Sequence, residues 1–322
     1  MSSRGGDVPI AISSALAAGL CFAVAGILQQ RAASTRTPDE SLSGRLLVDL
    51  AGEPMWLAGI GLAVLSYGFQ ALALAFGPLA LVQPLIAAEV VFALPLAARL
   101  DRVPLQPRDW LGAVMVVGGL AVAIAAAAPS RGQRFGATGP WLLLLLAVAV
   151  VTVAALQLGR RQQGPLRASL FALAGASVMG TQSALYATTI DRLPQGVLAV
   201  VTAWQTYLLI IASGMGLLLL QSAFNSGPLA TSMPVIDTVE PVVAVLAGLL
   251  IFDEQLAGGP GRHALAALGA AVALAGILVL DTSPATRRIY ETEHEEQLAE
   301  KARWRAGGRR GTCGRIPAGS TR

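Results

Sequence analysis

Three acidic residues stand where charge is costly. Glu89, Asp237 and Glu240 each lie well inside an apolar run of roughly twenty residues, the length that spans a bilayer. An ionised side chain at bilayer centre costs on the order of 2.5–3.5 kcal/mol on insertion scales. Three facing lipid in charged form would cost roughly 8–10 kcal/mol, so each must be neutral, paired or turned towards a polar cavity. No lysine or arginine lies deep in any apolar run. Hydrogen bonds, a bound cation or a proton must then meet the charge. Asp237 and Glu240 are three residues apart and share a helix face. Gln83 and Gln70 could line the same cavity, with Tyr67, Gln182, Tyr186, Trp204 and Gln205 as further candidates. The competing reading is that each acid stays protonated and bonds a neighbouring helix. It weighs most for Asp237, which is shallower, and less for Glu89 and Glu240, because intramembrane acids usually mark function. For any single glutamine or aromatic, helix-packing glue is the rival explanation.

The elements that carry these acids are related. Residues 77–86 read GPLALVQPLI and residues 227–236 read GPLATSMPVI, with Gly77, Pro78, Leu79, Ala80, Pro84 and Ile86 recurring 150 positions later. Glu89 lies twelve residues beyond Gly77, and Glu240 thirteen beyond Gly227. At about 1.5 Å per residue, each carboxylate is roughly 18–20 Å from its own surface, near mid-bilayer. Pro84, Pro95, Pro234 and Pro241 fall within the same two helices, where each removes a backbone donor and leaves a carbonyl without its helical partner. In transporters such breaks line water-filled cavities; taken singly, each is equally a packing kink.

The rest of the chain supplies the bilayer setting. Hydrophobic residues make up 54% of the sequence and charged residues 13%, where a soluble domain carries about a quarter charged. Mean hydropathy is +0.63. Apolar runs predict nine spans, at about 9–30, 56–76, 79–100, 109–128, 140–158, 166–189, 196–221, 228–252 and 263–281. The expected fold is therefore an all-α polytopic membrane protein in two halves, with four spans in residues 1–128 and five in 129–281. The gap 32–53, with Leu42, Leu46, Leu47 and Leu50 at helical spacing, reads as an amphipathic surface helix. Residues 282–322 read as a cytoplasmic, partly disordered tail, dispensable for activity.

Basic residues orient the spans. One side of the membrane holds Arg4, Arg131, Arg134, Arg192 and Arg262. The other holds Arg31, Arg36, Arg45, Arg99, Arg102, Arg108, Arg160, Arg161 and Arg167 before the strongly basic tail. The positive-inside rule puts the N-terminus outside and the C-terminus inside, which requires an odd number of spans. The two copies of the repeat then run in opposite directions, and their acids meet at one depth. Small residues one turn apart, as at Gly269 and Ala273, predict close helix packing.

An enzyme has no positive support, since there is no phosphate-binding glycine loop, zinc-protease helix or nucleophile elbow. Cys21, Cys313, His263 and His294 suggest neither a disulfide nor a metal site. The net charge of +4 collects at span ends and in the tail, so nucleic acid is not an expected partner. No cofactor is indicated. The expected partners are the bilayer and a small solute or cation; a homodimer is left open.

These residues resemble a known family. GPLALVQPLIAAEVVFALPLAARLDRVPLQPRDWLGAVMVVGGLAVAI, and the second copy ending IFDEQL and HALAALGAAVALAGILVL, resemble the inverted EamA-type repeat of the drug/metabolite transporter superfamily. GILQQRAA, Trp56 with Gly59, and FQALALAFGPLALVQPL resemble its NIPA branch. The resemblance covers about residues 9–281 and implies a multi-pass transporter of the inner or plasma membrane, bacterial in character, with magnesium as the branch's substrate. The chain departs from the pattern where the acidic turn, Asp253-Glu254 in the second half, reads Asp101-Arg102 in the first. Its first helix carries no acid, and a tenth span is missing from the first half. The leading expectation is alternating-access transport of a small cationic solute or proton-coupled solute. The alternatives are a magnesium pathway, with Glu89 and Glu240 meeting the ion, and a non-transporting receptor or scaffold.

Overall fold

Lipid offers no hydrogen bonds, so each apolar run must satisfy its own backbone, and helices result. The computed structural model describes residues 7–33, 50–100, 102–133, 135, 137–227 and 229–284. Most of the expected surface helix and nearly all of the tail lie outside the described residues. Within them the elements are α1 (Asp7–Ala33), α2 (Pro54–Phe76), α3 (Leu79–Ala87), α4 (Glu89–Leu100), α5 (Pro107–Ala127) and α6 (Thr138–Arg160). They continue as α7 (Gly164–Arg192), the short α8 (Val197–Val201), α9 (Trp204–Ser226), α10 (Leu229–Ile251) and α11 (Pro260–Asp281). Nine helical stretches among the described residues are long and apolar enough to cross a membrane, with α3 and α4 together making one. The protein is an all-α polytopic membrane protein.

Proline marks several starts, at Pro54, Pro107, Pro165 and Pro260, where the missing N–H would have no helical acceptor anyway. At α5 the Asp109 carboxylate also accepts the Gln106 N–H at 2.7 Å, closing a reciprocal cap.

Contacts between helix ends show that the spans alternate in direction. On one face, Arg131 donates to the Gly77 carbonyl at 3.1 and 3.2 Å and pairs with Asp191 at 3.7 Å, while Ser130 and Gln255 exchange backbone hydrogen bonds. On the other, Leu50 and Trp56 pack with Ala32, Gly227 lies against the Gly164 carbonyl, and Arg108 donates to Thr282 at 3.1 Å. We call these the Gly77 face and the Trp56 face.

The repeat is inverted in space. Helices α5 and α11 cross antiparallel through glycine. A Cβ on Gly119 would lie 2.6 Å from the Gly269 carbonyl oxygen, and one on Gly269 would lie 2.8 Å from that of Gly119. These residues are 150 positions apart, the spacing of the repeat itself. Helix α3 likewise starts beside the end of α10, with Ala80 next to Gly248. Glycine also lets α1 approach α3 and α4: a Cβ on Gly19 would be 3.1 Å from the Ile86 carbonyl and 3.7 Å from the Glu89 Cβ. In the second half Gly180 on α7 does the same, 2.6 Å from the Glu240 carbonyl. Helix α6 has no counterpart in the first half and packs on α7 through Gly159 against Phe171.

Two expected boundaries move. The seventh span starts at Trp204, not near 196, because Gly196 at φ 100 turns the chain into the separate helix α8. Thr202 and Thr206 then donate back to the carbonyls of Leu198 and Val200 at 2.8 and 2.7 Å, fixing that break. The third span is interrupted at Ala88, between its two prolines.

Candidate functional site

The interruption at Ala88 makes Glu89 the first residue of a half-helix, with that helix's positive dipole end beside its carboxylate. Across from it, Asp237 and Glu240 stand one turn apart on α10. All three acids line one cavity of about 290 Å³, near the lower end of the ~300–1,000 Å³ range of ligand pockets. Gln70, Gln83, Tyr67 and Gln182 line it too, and among the described residues no lysine or arginine does.

The cavity has a graded interior. By position along their helices, Gln70 and Gln83 lie nearest the Gly77 face, the acids lie at mid-depth, and Gln29, Phe224 and Met233 lie nearest the Trp56 face. Its lining therefore extends towards the Trp56 face, while Ala73, Leu74, Leu79 and Val82, between Gln83 and the Gly77 face, are buried. Phe22 and Tyr67 form an aromatic wall with their rings edge to face at 5.2 Å. Tyr67 hydrogen-bonds Gln182 and lies within electrostatic reach of Glu240 and Glu89. The buried Gln83 Nε2 has no hydrogen-bond partner among the described residues, which leaves a donor free at the closed end.

Several candidates sit elsewhere. Tyr186 stands behind Tyr67, its hydroxyl donating to the Tyr67 carbonyl at 2.8 Å. Trp204 and Gln205 are at the Gly77 face: Trp204 meets Trp141 edge to face at 5.5 Å, and Arg192 donates to Gln205 at 3.4 Å. Their place follows from the late start of α9, which moves both to the end of the span. Of the four prolines only Pro241 lines the cavity. Pro95 is exposed on the outer side of α4, and Pro84 and Pro234 fall outside the lining, because a helix offers its cavity only one face.

Two contributors escaped the sequence reading. Gln29 and Gln221 meet at the mouth, where the Gln221 amide donates to the Gln29 carbonyl oxygen at 3.3 Å. Their signal was the occurrence of amides inside apolar runs. The other is Glu254, which follows α10 and reaches the start of α3. Its carboxylate accepts the Leu79 N–H at 2.6 Å and the Ala80 N–H at 2.8 Å. Burial pushes the Glu254 carboxyl above the usual carboxylate range, opposed by those two amides and Arg131 and reinforced by Asp191. Among the described residues, no three of His, Cys, Asp and Glu gather in a way that could hold a metal ion.

No protein-family model matches the chain, and no solved structure matches it. Among curated proteins, one from Corynebacterium glutamicum, named only as uncharacterized, is 28% identical over 247 residues, which span 76% of this chain and 86% of that protein.

Proposed function

We propose that the protein is a secondary transporter of the drug/metabolite type that moves a small cationic solute by alternating access. Glu89 and Glu240, with Asp237, form the shared solute or proton site. One observation carries this reading: three acids, and no basic residue among the described residues, line a single mid-depth cavity whose lining extends towards one face. The apolar and aromatic wall favours an organic cation, since Phe22 and Tyr67 line the cavity and aromatic rings attract a desolvated ammonium. Magnesium remains the second reading, because it keeps its waters and needs few direct carboxylates; the glutamines beside the acids suit such a hydrated ion.

The test is uptake into proteoliposomes of radiolabelled choline, tetraphenylphosphonium and magnesium, each with and without a pH gradient. Movement of an organic cation is expected. Movement of magnesium alone would transfer the assignment to the ion. If nothing moves in either direction, the protein belongs with receptors or scaffolds.

Orientation follows from arginine placement, which puts the Gly77 face outside. Thr138 and Gln162 are exposed at opposite ends of α6. Single cysteines there, in a background lacking Cys21 and Cys313, should label from outside and inside respectively in intact cells. Labelling of both from one side would overturn the arrangement.

A further inference from the structure

The Gly77 face is closed by parts distant in sequence. Glu254 ties the end of α10 to the first two amides of α3. Arg131, from the α5–α6 connection, donates to the Gly77 carbonyl just before those amides and pairs with Asp191 at the end of α7. Gly132 lies so close to the Phe252 and Asp253 carbonyls that a Cβ there would overlap both. Four elements thus converge on one carboxylate, 7% exposed and above the closed end of the cavity.

The inverted repeat supplies a comparison inside the same molecule. Asp253 and Arg102 are the left-handed residues of the turns that follow α10 and α4, at φ 49 and φ 55. Matching those turns, in which Val103 and Glu254 donate their N–H to the Ala98 and Gly248 carbonyls, places Val103 where the other half has Glu254. That is one residue on from the Arg102 that the sequence pairing gave. Valine has no group to accept an amide N–H. At the Trp56 face the residue in that place cannot fasten an amide, and the cavity's lining runs to Gln29 and Phe224 near that face.

We propose that Glu254 is a latch that holds the Gly77 face shut, and that its replacement by Val103 in the other half biases the protein towards the state open at the Trp56 face. The latch deepens the transport reading above and rests on it for its role in a cycle; its effect on access can be measured without any solute.

Ala187 lies beneath the latch, in the small space lined by Arg131, Asp191 and Glu254. In a background lacking Cys21 and Cys313, Ala187→Cys reports access when a membrane-impermeant maleimide is applied from the Gly77 face. The parent should label slowly. Glu254→Gln keeps the shape but sets an amide N–H against the backbone N–H groups, and labelling should rise roughly tenfold or more, as expected for loss of a charge-assisted hydrogen bond. Arg131→Gln, at a half-exposed position, should raise labelling in the same direction. It decides the matter alone if Glu254→Gln is not recovered as monodisperse protein. Unchanged labelling in the intact variants overturns the latch. Raised labelling in a protein that moves no solute keeps the latch and overturns the transport assignment.

Discussion

Glu89→Gln and Glu240→Gln should each abolish solute flux, or its dependence on pH, while the protein still inserts and purifies as a single species. Glutamine keeps the side chain's shape and most of its hydrogen bonding but cannot carry charge or exchange a proton. Glu89 and Glu240 come from the two inverted copies, and both line the one cavity, where no basic residue among the described residues balances them. A hydrogen bond to a charged group contributes about 1.5–3 kcal/mol, so losing one weakens cation binding roughly ten- to hundredfold. If protons share the site, the variant also loses the step in which one is exchanged for the solute, and flux stops responding to a pH gradient. Asp237→Asn is the informative companion. Asp237 is nearer the Trp56 face than Glu240, so a smaller effect is expected there. Parent-like transport by both glutamate variants, with and without a pH gradient, would make the acids packing residues.

A second large effect belongs to the fold. Gly119→Leu should cost the protein its monodisperse state in mild detergent, or lower its unfolding temperature steeply, whereas Gly118→Leu should do neither. A Cβ on Gly119 meets the backbone of α11, 2.5 Å from the Ala273 nitrogen and 2.6 Å from the Gly269 oxygen. Backbone cannot swing aside as a side chain can, so α5 and α11 would have to separate. Overpacking in a filled core costs typically about 1–3 kcal/mol, occasionally more. With backbone on both sides of the clash, the upper end is expected. Gly118, one residue away, is exposed and a Cβ there has nothing within 4 Å. The pair separates gain of helix propensity and added bulk, common to both, from the contact, which only Gly119 makes. Equal behaviour of the two variants would show that the crossing is not what holds these helices together.

Both experiments address consequences of one design, in which similar sequences run in opposite directions and meet at an axis. Glycine makes the meeting close at Gly119 and Gly269, and carboxylates from both copies line the cavity. The departures from symmetry are where direction of opening is decided. Helix α6 has no mate, the α3–α4 span is broken while α10 runs through, and Glu254 has Val103 as its counterpart.

How much of this was readable beforehand depends on range. The nine spans and their alternation were legible, because bilayer thickness sets run length and the polar gaps are short. The inverted relation was legible too, since the repeat spacing and an odd number of intervening crossings imply it. Composition singled out Glu89, Asp237 and Glu240, because charge inside an apolar run needs an explanation whatever surrounds it. What tertiary structure decided was which face of each helix turns inward. Pro241 lines the cavity and Pro95 faces outward, although both are prolines inside acid-bearing spans. Trp204 and Gln205 went to the Gly77 face because a break at Thr202, held by local hydroxyl bonds, shortened their helix. Glu254 could be seen as an acid in a turn, but its partners, Leu79 and Ala80, lie 175 and 174 residues earlier. Periodicity along a chain reports the environment of one helix at a time. A contact between the end of one helix and the start of another depends on how the two are packed, and only the assembled structure places them together.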